Sequence, residues 1–517
     1  MSLPLDLLMF AALIGAILIG YPVSFTLAGI ATLFAFLGYF TGQFDMGLLG
    51  ALAQRVFGLM TNQVLIAIPL FVFMGVVLEK SRIAEDLLET AGRLFGSLRG
   101  GLGISVVLVG ALLAASTGIV GATVVAMGLI ALPAMLRNGY DPKLASGIVC
   151  TSGTLGQIIP PSTLLIILSD VMSNAYQQAQ FREGKFTIET ISVGQVFAAA
   201  LLPGLTLVGI YIVYLLIKAW LSPDAAPAMK SLATKPSRME VATAILPPVL
   251  LIIAVLGSIL GGIATPGEAA SVGAMGALLM ASARLGAGSI KLVIGGAVAL
   301  GLLAVLAGVH PVRLQRTDAT LFDWIVGGAA SLLVLVAAAA VIQALVRTFR
   351  GGVLKPVMTS TLSVTAMIFA TILTASVFSL VFRGLGGDLR VEEFLANMPG
   401  GPQGALFFVM ALIFVLGFFL DFVEISVILL PLVAPVLIIM GHDPVWLSVL
   451  IAINLQTSFL TPPFGFSLFY LRGAAPKEIT TGQIYQGVLP FIALQIGGIA
   501  LIWLLPSIAT LLPKLVF

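Results

Sequence analysis

The chain has 517 residues, 59% of them hydrophobic and 9% charged, with 25 basic against 22 acidic side chains. Soluble domains carry about 25% charged residues, so a water-soluble globular protein is excluded, and the scattered net charge of +3 makes no surface for nucleic acid. A single cysteine, Cys150, and two histidines, His310 and His442, leave no material for an intramolecular disulfide or a Cys/His metal centre.

Apolar stretches of about 20 residues cross a bilayer as helices, and a stretch such as 196–217 is apolar on every face, unlike the alternating segments of a β-barrel. The expectation is an all-α polytopic membrane protein. The N-terminus lacks the basic start and small-residue cleavage site of a secretory signal and reads as mature sequence. Residues 7–40 are too long for one upright span and are interrupted at Gly20-Tyr-Pro22, which predicts two helices or one broken one. An amphipathic surface segment at 44–62, a span at 64–78 and a second interfacial helix at 79–99 follow. Residues 101–137, soft at Ala115-Ser-Thr-Gly118, predict a re-entrant hairpin. The stretch 143–171 predicts a helix broken at Ser152-Gly-Thr154 and Pro160-Pro161, then a polar loop at 173–192 and a span at 195–217.

A basic linker, 218–238, carries Lys218, Lys230, Lys235 and Arg238. Beyond it the pattern predicts spans at 241–262, 266–283, 290–309, 323–346 and 357–382, then an acidic segment with Asp388, Glu392 and Glu393. A second hairpin at 403–440, a second broken helix at 445–471 and a last span at 484–511 complete the chain. Placing the basic linkers 218–238, 284–291 and 347–356 in the cytoplasm puts 79–99 and 137–143 inside as well. The segments 173–192, 383–402 and 441–444 then lie outside, so the two hairpins enter from opposite sides.

The halves repeat. Residues 133–161 align without a gap on 435–463, 302 positions later, matching Pro133 with Pro435, Gly139 with Gly441, Asp141-Pro142 with Asp443-Pro444, Ser146 with Ser448 and Pro160-Pro161 with Pro462-Pro463. Nearer the start, Pro22 and Gly29 match Pro266 and Gly273 at an offset of 244. The larger second offset reflects two extra helices within 284–356. The organisation is therefore a first repeat, 1–217, the linker 218–238, and a second, inverted repeat, 239–517, the architecture of many secondary transporters with sites at broken helices near the midplane.

Prolines and glycines inside a span free backbone groups that hydrocarbon cannot satisfy. At Ser152-Gly-Thr154 and at Asn454-Leu-Gln-Thr-Ser458 these lie beside hydroxyl and amide side chains, an oxygen-rich setting suited to a hard cation. Asp421 and Glu424 fall inside an apolar run, where a charge is a functional candidate by default, whereas Glu268 and Asp170 read as capping or structural groups. The signatures His-Glu-x-x-His, Gly-x-Ser-x-Gly and Gly-x4-Gly-Lys-[Ser/Thr] are absent from the sequence, so ATP hydrolysis through a phosphate loop is excluded and uphill transport requires a gradient.

Taken together, Ile68-Pro-Leu-Phe-Val-Phe-Met-Gly75, Leu98-Arg-Gly-Gly101, Gly153-Thr-Leu-Gly156 with Ile159-Pro-Pro-Ser162, Phe419-Leu-Asp421, and Asn454-Leu with Leu460-Thr-Pro-Pro463 cover nearly the whole chain. This combination resembles the large membrane subunit of the tripartite ATP-independent periplasmic (TRAP) transporters, in their longer variant. The resemblance implies an elevator transporter of the bacterial inner membrane that takes up an organic acid with sodium. It also implies a small four-helix membrane subunit and a periplasmic substrate-binding protein as partners, and no organic cofactor. By the same resemblance Ser116, Thr117, Gly118, Ser152, Gly153 and Thr154 surround one sodium ion, and Asp421, Asn454, Gln456, Thr457 and Ser458 a second. Glu424 and the proline pairs Pro160-Pro161 and Pro462-Pro463 are the substrate-side candidates. The chain departs from the family at the first tip, where Thr117-Gly-Ile-Val120 replaces Ser-Gly-Ser-Ser, at Phe422 in place of proline, and at Ser458 in place of glycine. A stand-alone sodium-coupled carboxylate symporter or antiporter is the alternative within transporters, and an intramembrane enzyme using Asp421 and Glu424 as an acid pair is the alternative outside them.

Overall fold

The computed structural model describes residues 4–118, 120–229, 236–286, 289–309 and 320–517, and the side chains of 114–117 and 307 fall outside that description. Lys230 and Lys235 of the linker, and the side chains of the site candidates Ser116 and Thr117, therefore lie outside the described residues. Every regular element among the described residues is helical, and seven helices are long and apolar enough to cross a membrane.

Helices α1 (Leu5–Ile19) and α2 (Val23–Phe40) divide the first apolar run. Gly20 ends α1 with a left-handed φ of 96°, a conformation glycine adopts without a Cβ penalty, and the break is completed by Pro22. The surface arm is a short 3-10 turn followed by α3 (Ala51–Met60). Next, α4 (Ala67–Lys80) enters the core, and α5 (Ile83–Phe95) turns Leu87, Leu88 and Ala91 inward from the surface. The first hairpin is α6 (Gly101–Thr117) and α7 (Val120–Arg137), which reverse at Gly118, φ 60°. The first broken helix follows as α8 (Pro142–Thr154) and α9 (Thr163–Arg182), and α10 (Val193–Leu221) is an unbroken span.

In the second half α11 (Arg238–Leu260) and α12 (Pro266–Arg284) lead to α13 (Ile290–Val309) and α14 (Leu321–Arg350). Leu278, Leu279, Val293, Ala299, Leu300, Ala337, Ala340 and Ala344 bury one another in a small cluster separate from the main core. Small residues make this approach possible: a Cβ added at Gly296 would lie 2.3 Å from that of Ala340. Only 17% of the most apolar window of α14 is buried, so most of its apolar surface is exposed on this chain. Helix α15 (Leu354–Gly384) returns to the main core, and α16 (Gly387–Ala396) carries the acidic segment.

The second hairpin is α17 (Gly401–Leu416) with a return arm of α18 (Phe422–Ile428) and α19 (Leu430–Ile439), bent by 59°. The second broken helix is α20 (Pro444–Leu460) and α21 (Phe466–Ala474), before α22 (Thr481–Leu504) and α23 (Ser507–Val516). Two expected boundaries differ. Residues 173–182, expected in a loop, continue α9, because Met172, Ala175 and Ala179 recur at helical spacing and are buried. The expected last span is two helices, divided at Leu505-Pro506.

The Gly-x-Asp-Pro turns of the two halves fold alike. Gly139 and Gly441 take left-handed φ values of 82° and 96°, and Asp141 and Asp443 cap α8 and α20, each with proline at the first helical positions. Ser146 Oγ donates to the Pro142 carbonyl at 2.6 Å, and Ser448 Oγ donates to that of Pro444 at 2.7 Å. Both helices then run through the centre of the protein: every residue of α8 from Leu144 to Thr154, and of α20 from Trp446 to Leu460, is buried. Glu268 completes a capping box with Thr265 at the start of α12, as its position suggested.

Candidate functional site

The first break begins where α8 tightens into a 3-10 turn at Leu155–Gln157 and ends at Ser162, with Pro160-Pro161 in the cis form. Ser152 Oγ donates to the Ile148 carbonyl at 2.6 Å and Thr154 Oγ1 to that of Thr151 at 2.9 Å, so each hydroxyl spends its proton on its own helix and keeps acceptor lone pairs. Hairpin α6–α7 packs directly on this break. A Cβ at Gly110 would lie 2.6 Å from Ser152 Cβ, and one at Gly153 would lie 2.3 Å from Val124 Cγ2. At the tip, a Cβ on Gly118 would lie 2.7 Å from Thr163 Oγ1. The structure thus packs the hairpin arms on Ser152 and Gly153, and its tip at Gly118 on Thr163 at the start of α9.

The second break follows the same plan with other side chains. Helix α20 ends at Leu460, Thr461 turns extended, Pro462-Pro463 is cis, and Gly465 starts α21. Thr457 Oγ1 donates to the Ile453 carbonyl at 2.8 Å and Ser458 Oγ to that of Leu455 at 2.9 Å. Asn454 Nδ2 donates to the Met410 carbonyl on α17 at 2.7 Å, tying the break to the hairpin. The tip of that hairpin closes on the same break: a Cβ at Gly417 would overlap Ser458 Oγ at 2.1 Å, and the Phe419 and Phe464 rings pack 5.2 Å apart.

Asp421 lies at this tip as the N-cap of α18. One carboxylate oxygen accepts from Phe422 N–H at 2.7 Å, and Glu424 Oε2 accepts from Asp421 N–H at 2.9 Å in a capping box. The expected acid pair is thereby accounted for as local backbone satisfaction, with the remaining oxygens of each carboxylate free to act elsewhere. Among the described residues, no hydrogen bond links Asp421 to Asn454, Gln456, Thr457 or Ser458.

The two breaks touch. Gln456 Nε2 donates to Thr154 Oγ1 at 3.4 Å, and these residues stand 302 positions apart, the offset that superposes the repeats. The contact therefore joins positions that the gapless alignment of 133–161 on 435–463 pairs with each other. Buried oxygens without a hydrogen-bond partner occur on the two broken helices themselves, at Gln456 Oε1, Thr151 Oγ1, Gln157 Oε1 and Thr163 Oγ1, and on α18 at Ser426 Oγ. Leaving such a group unmet costs about 1–3 kcal/mol, which a bound cation or water would offset. Oxygen acceptors of this kind suit a hard cation in general. The sequence pattern did not single out Gln157, Thr151, Thr163 or Ser426; an amide three residues before a double proline, between Gly156 and Ile158, was the available signal for Gln157.

Comparison with known proteins places this architecture. The sequence matches the family described as "Tripartite ATP-independent periplasmic transporter, DctM component" over residues 10–347 and 320–508. It is 27% identical to a C4-dicarboxylate TRAP transporter large permease protein of Vibrio cholerae, over 98% of this chain and 97% of that protein. It is also 24% identical to an ectoine TRAP transporter large permease protein of Halomonas elongata, over 99% of each. The fold resembles that of the YdaH transporter of Alcanivorax borkumensis, with a TM-score of 0.50 at 15% identity over 91% of this chain and 89% of that one.

Proposed function

The chain belongs to the DctM-component family of tripartite ATP-independent periplasmic transporters, as a multi-pass large permease subunit of the bacterial inner membrane and not an enzyme, and from that premise we propose that it imports a small organic acid coupled to sodium. The observation that carries the reading is the meeting of the two broken helices at Thr154 and Gln456, with the unpartnered Gln456 Oε1 beside it. One sodium ion is held by Gly118, Ser152, Gly153 and Thr154 together with Ser116 and Thr117. The other is held by Asn454, Gln456, Thr457 and Ser458, with the Asp421 carboxylate balancing its charge.

The remaining assignments belong to the same reading. The broken helices and hairpins move as a transport unit against a scaffold of the long spans, an elevator motion that carries both ions and the organic acid. Inversion of the repeats supports it, because two inverted copies exchange conformations when one side closes and the other opens. The substrate binds beside the ions, near Glu424 and the pairs Pro160-Pro161 and Pro462-Pro463. A periplasmic substrate-binding protein delivers it, and the small four-helix membrane subunit supports the scaffold.

The test is sodium binding by the purified chain in lipid nanodiscs. A ligand that binds only the folded state adds about 2.7 kcal/mol of stability at a hundred-fold excess over its Kd. The melting temperature should rise with sodium and stay flat with potassium at equal ionic strength. An equal rise with both ions would reject the sodium sites.

A further inference from the structure

Away from the breaks, α3, α9, α15 and α19 enclose a cleft of about 460 Å³ that the function described so far does not use. Its polar lining is Arg55, Asn62, Asp170, Asn174, Gln178 and Arg383, set among Leu65, Ile167, Ile372 and Val427. Both guanidiniums are held in place by neutral groups. Arg55 Nη1 donates to the Ser376 carbonyl at 3.1 Å, and Arg383 Nη2 donates to Gln178 Oε1 at 3.2 Å and to the Pro431 carbonyl at 3.1 Å. That carbonyl is available because the residue four positions on is Pro435, which has no N–H to donate. Arg383 Nε is buried without a partner, and among the described residues neither arginine forms an ion pair. Asp170, the one carboxylate in the cleft, accepts from Asn62 Nδ2 at 2.8 Å.

Arg55 and Arg383 face one carboxylate in the lining, and Asp388, which also acts on Arg383, is paired with Arg182 at 3.8 Å, so the apolar-walled cleft carries an excess of positive charge where screening is weak. Such groups inside a membrane protein mark solute pathways, and a guanidinium presents paired donors matched to a carboxylate. The geometry points to a carboxylate-binding vestibule: Arg55 and Arg383 receive the anionic group of a small organic acid at the seam between the α3–α15 side and the α9–α19 side of the cleft. By the positive-inside count this is the periplasmic mouth. Arg383 also grips the second hairpin through Pro431, so an anion bound there sits across the joint between α15 and that hairpin. The inference rests on the reading of the chain as an organic-acid permease. Its test uses no ion gradient and no partner, so its failure is distinct from failure of sodium coupling.

The full chain in nanodiscs is treated with phenylglyoxal, which modifies arginines, in sodium lactate, sodium succinate or sodium chloride at equal sodium concentration, and adducts are located by mass spectrometry. At least one organic acid should slow modification of both Arg55 and Arg383 by about five-fold relative to chloride, as expected when a ligand exceeds its Kd about four-fold. Arg284, on another face, should be unaffected. In Arg383→Gln the protection of Arg55 should vanish; where that variant does not fold, Arg55→Gln is read at Arg383 instead. Protection by chloride equal to that by both acids, or equal protection at Arg284, would overturn the vestibule.

Discussion

At the scale of single residues, the second break allows structural roles and the proposed ion-binding roles to be told apart. Asn454 spends its amide N–H on the Met410 carbonyl, so Asn454→Ala removes a tie to the hairpin as well as an oxygen. The variant should lose about 1–2 kcal/mol of stability and show a smaller sodium-dependent rise in melting temperature. Gln456 differs, since its Oε1 has no partner and its N–H makes only a long contact. Gln456→Leu should therefore melt as high as the parent without sodium and respond less to it. Asp421→Asn keeps a good N-cap for α18 and loses only the charge, so it should fold normally and require more sodium for the same stabilisation. A parent-like sodium response in all three, measured by melting temperature against sodium concentration, would remove this break from ion binding. These residues were legible because polar side chains next to prolines in an apolar span have few other reasons to be there. Gln157, Thr151 and Ser426 were not, because a single polar residue within a helix looks the same whether its oxygen is paired or orphaned. Arg55 and Arg383 stand 328 positions apart in the sequence and share a cleft only through folding.

At the scale of elements, the crossing of α8 and α22 is set by two glycines. A Cβ at Gly147 would lie 2.2 Å from the Gly487 carbonyl oxygen, and one at Gly487 would lie 2.0 Å from that of Lys143. Backbone atoms cannot swing aside as a side chain does, so the helices must separate. Gly147→Ala and Gly487→Ala should each cost about 1–3 kcal/mol, the usual range for overpacking. Gly497→Ala, on the same α22 with nothing within 4 Å, should be neutral or mildly stabilising. Thermal melts of the three compare them directly, and equal behaviour would contradict the close crossing. Hairpins and breaks were readable from apolar runs interrupted by Gly and Pro. The extension of α9 was not, because Ser173, Asn174, Gln177 and Gln178 have loop-like polarity while the Met172, Ala175 and Ala179 stripe is short. Gln180 settles into helix by donating to the carbonyls of Tyr176 and Glu189, a tertiary arrangement invisible beforehand.

At the scale of the whole molecule, the proposed inverted repeat with its count of crossings predicts which segments face which side. Cys150 is buried and is the lone cysteine, so Cys150→Ala supplies a clean background. Cysteines at the exposed positions Lys185 and Glu393 should react with an impermeant maleimide in intact cells, and those at Lys80 and Arg350 only after permeabilisation. Labelling of all four from one side would contradict the inverted arrangement.

Sodium coupling through the two joined breaks is tested most directly by transport. The chain is reconstituted into liposomes with the proposed small membrane subunit, and the proposed binding protein is supplied outside together with an organic acid that it binds. Uptake should follow an inward sodium gradient, collapse when potassium replaces sodium, and fall in Gln456→Leu. Uptake of equal rate in potassium, or accumulation that needs ATP and ignores sodium, would contradict the account.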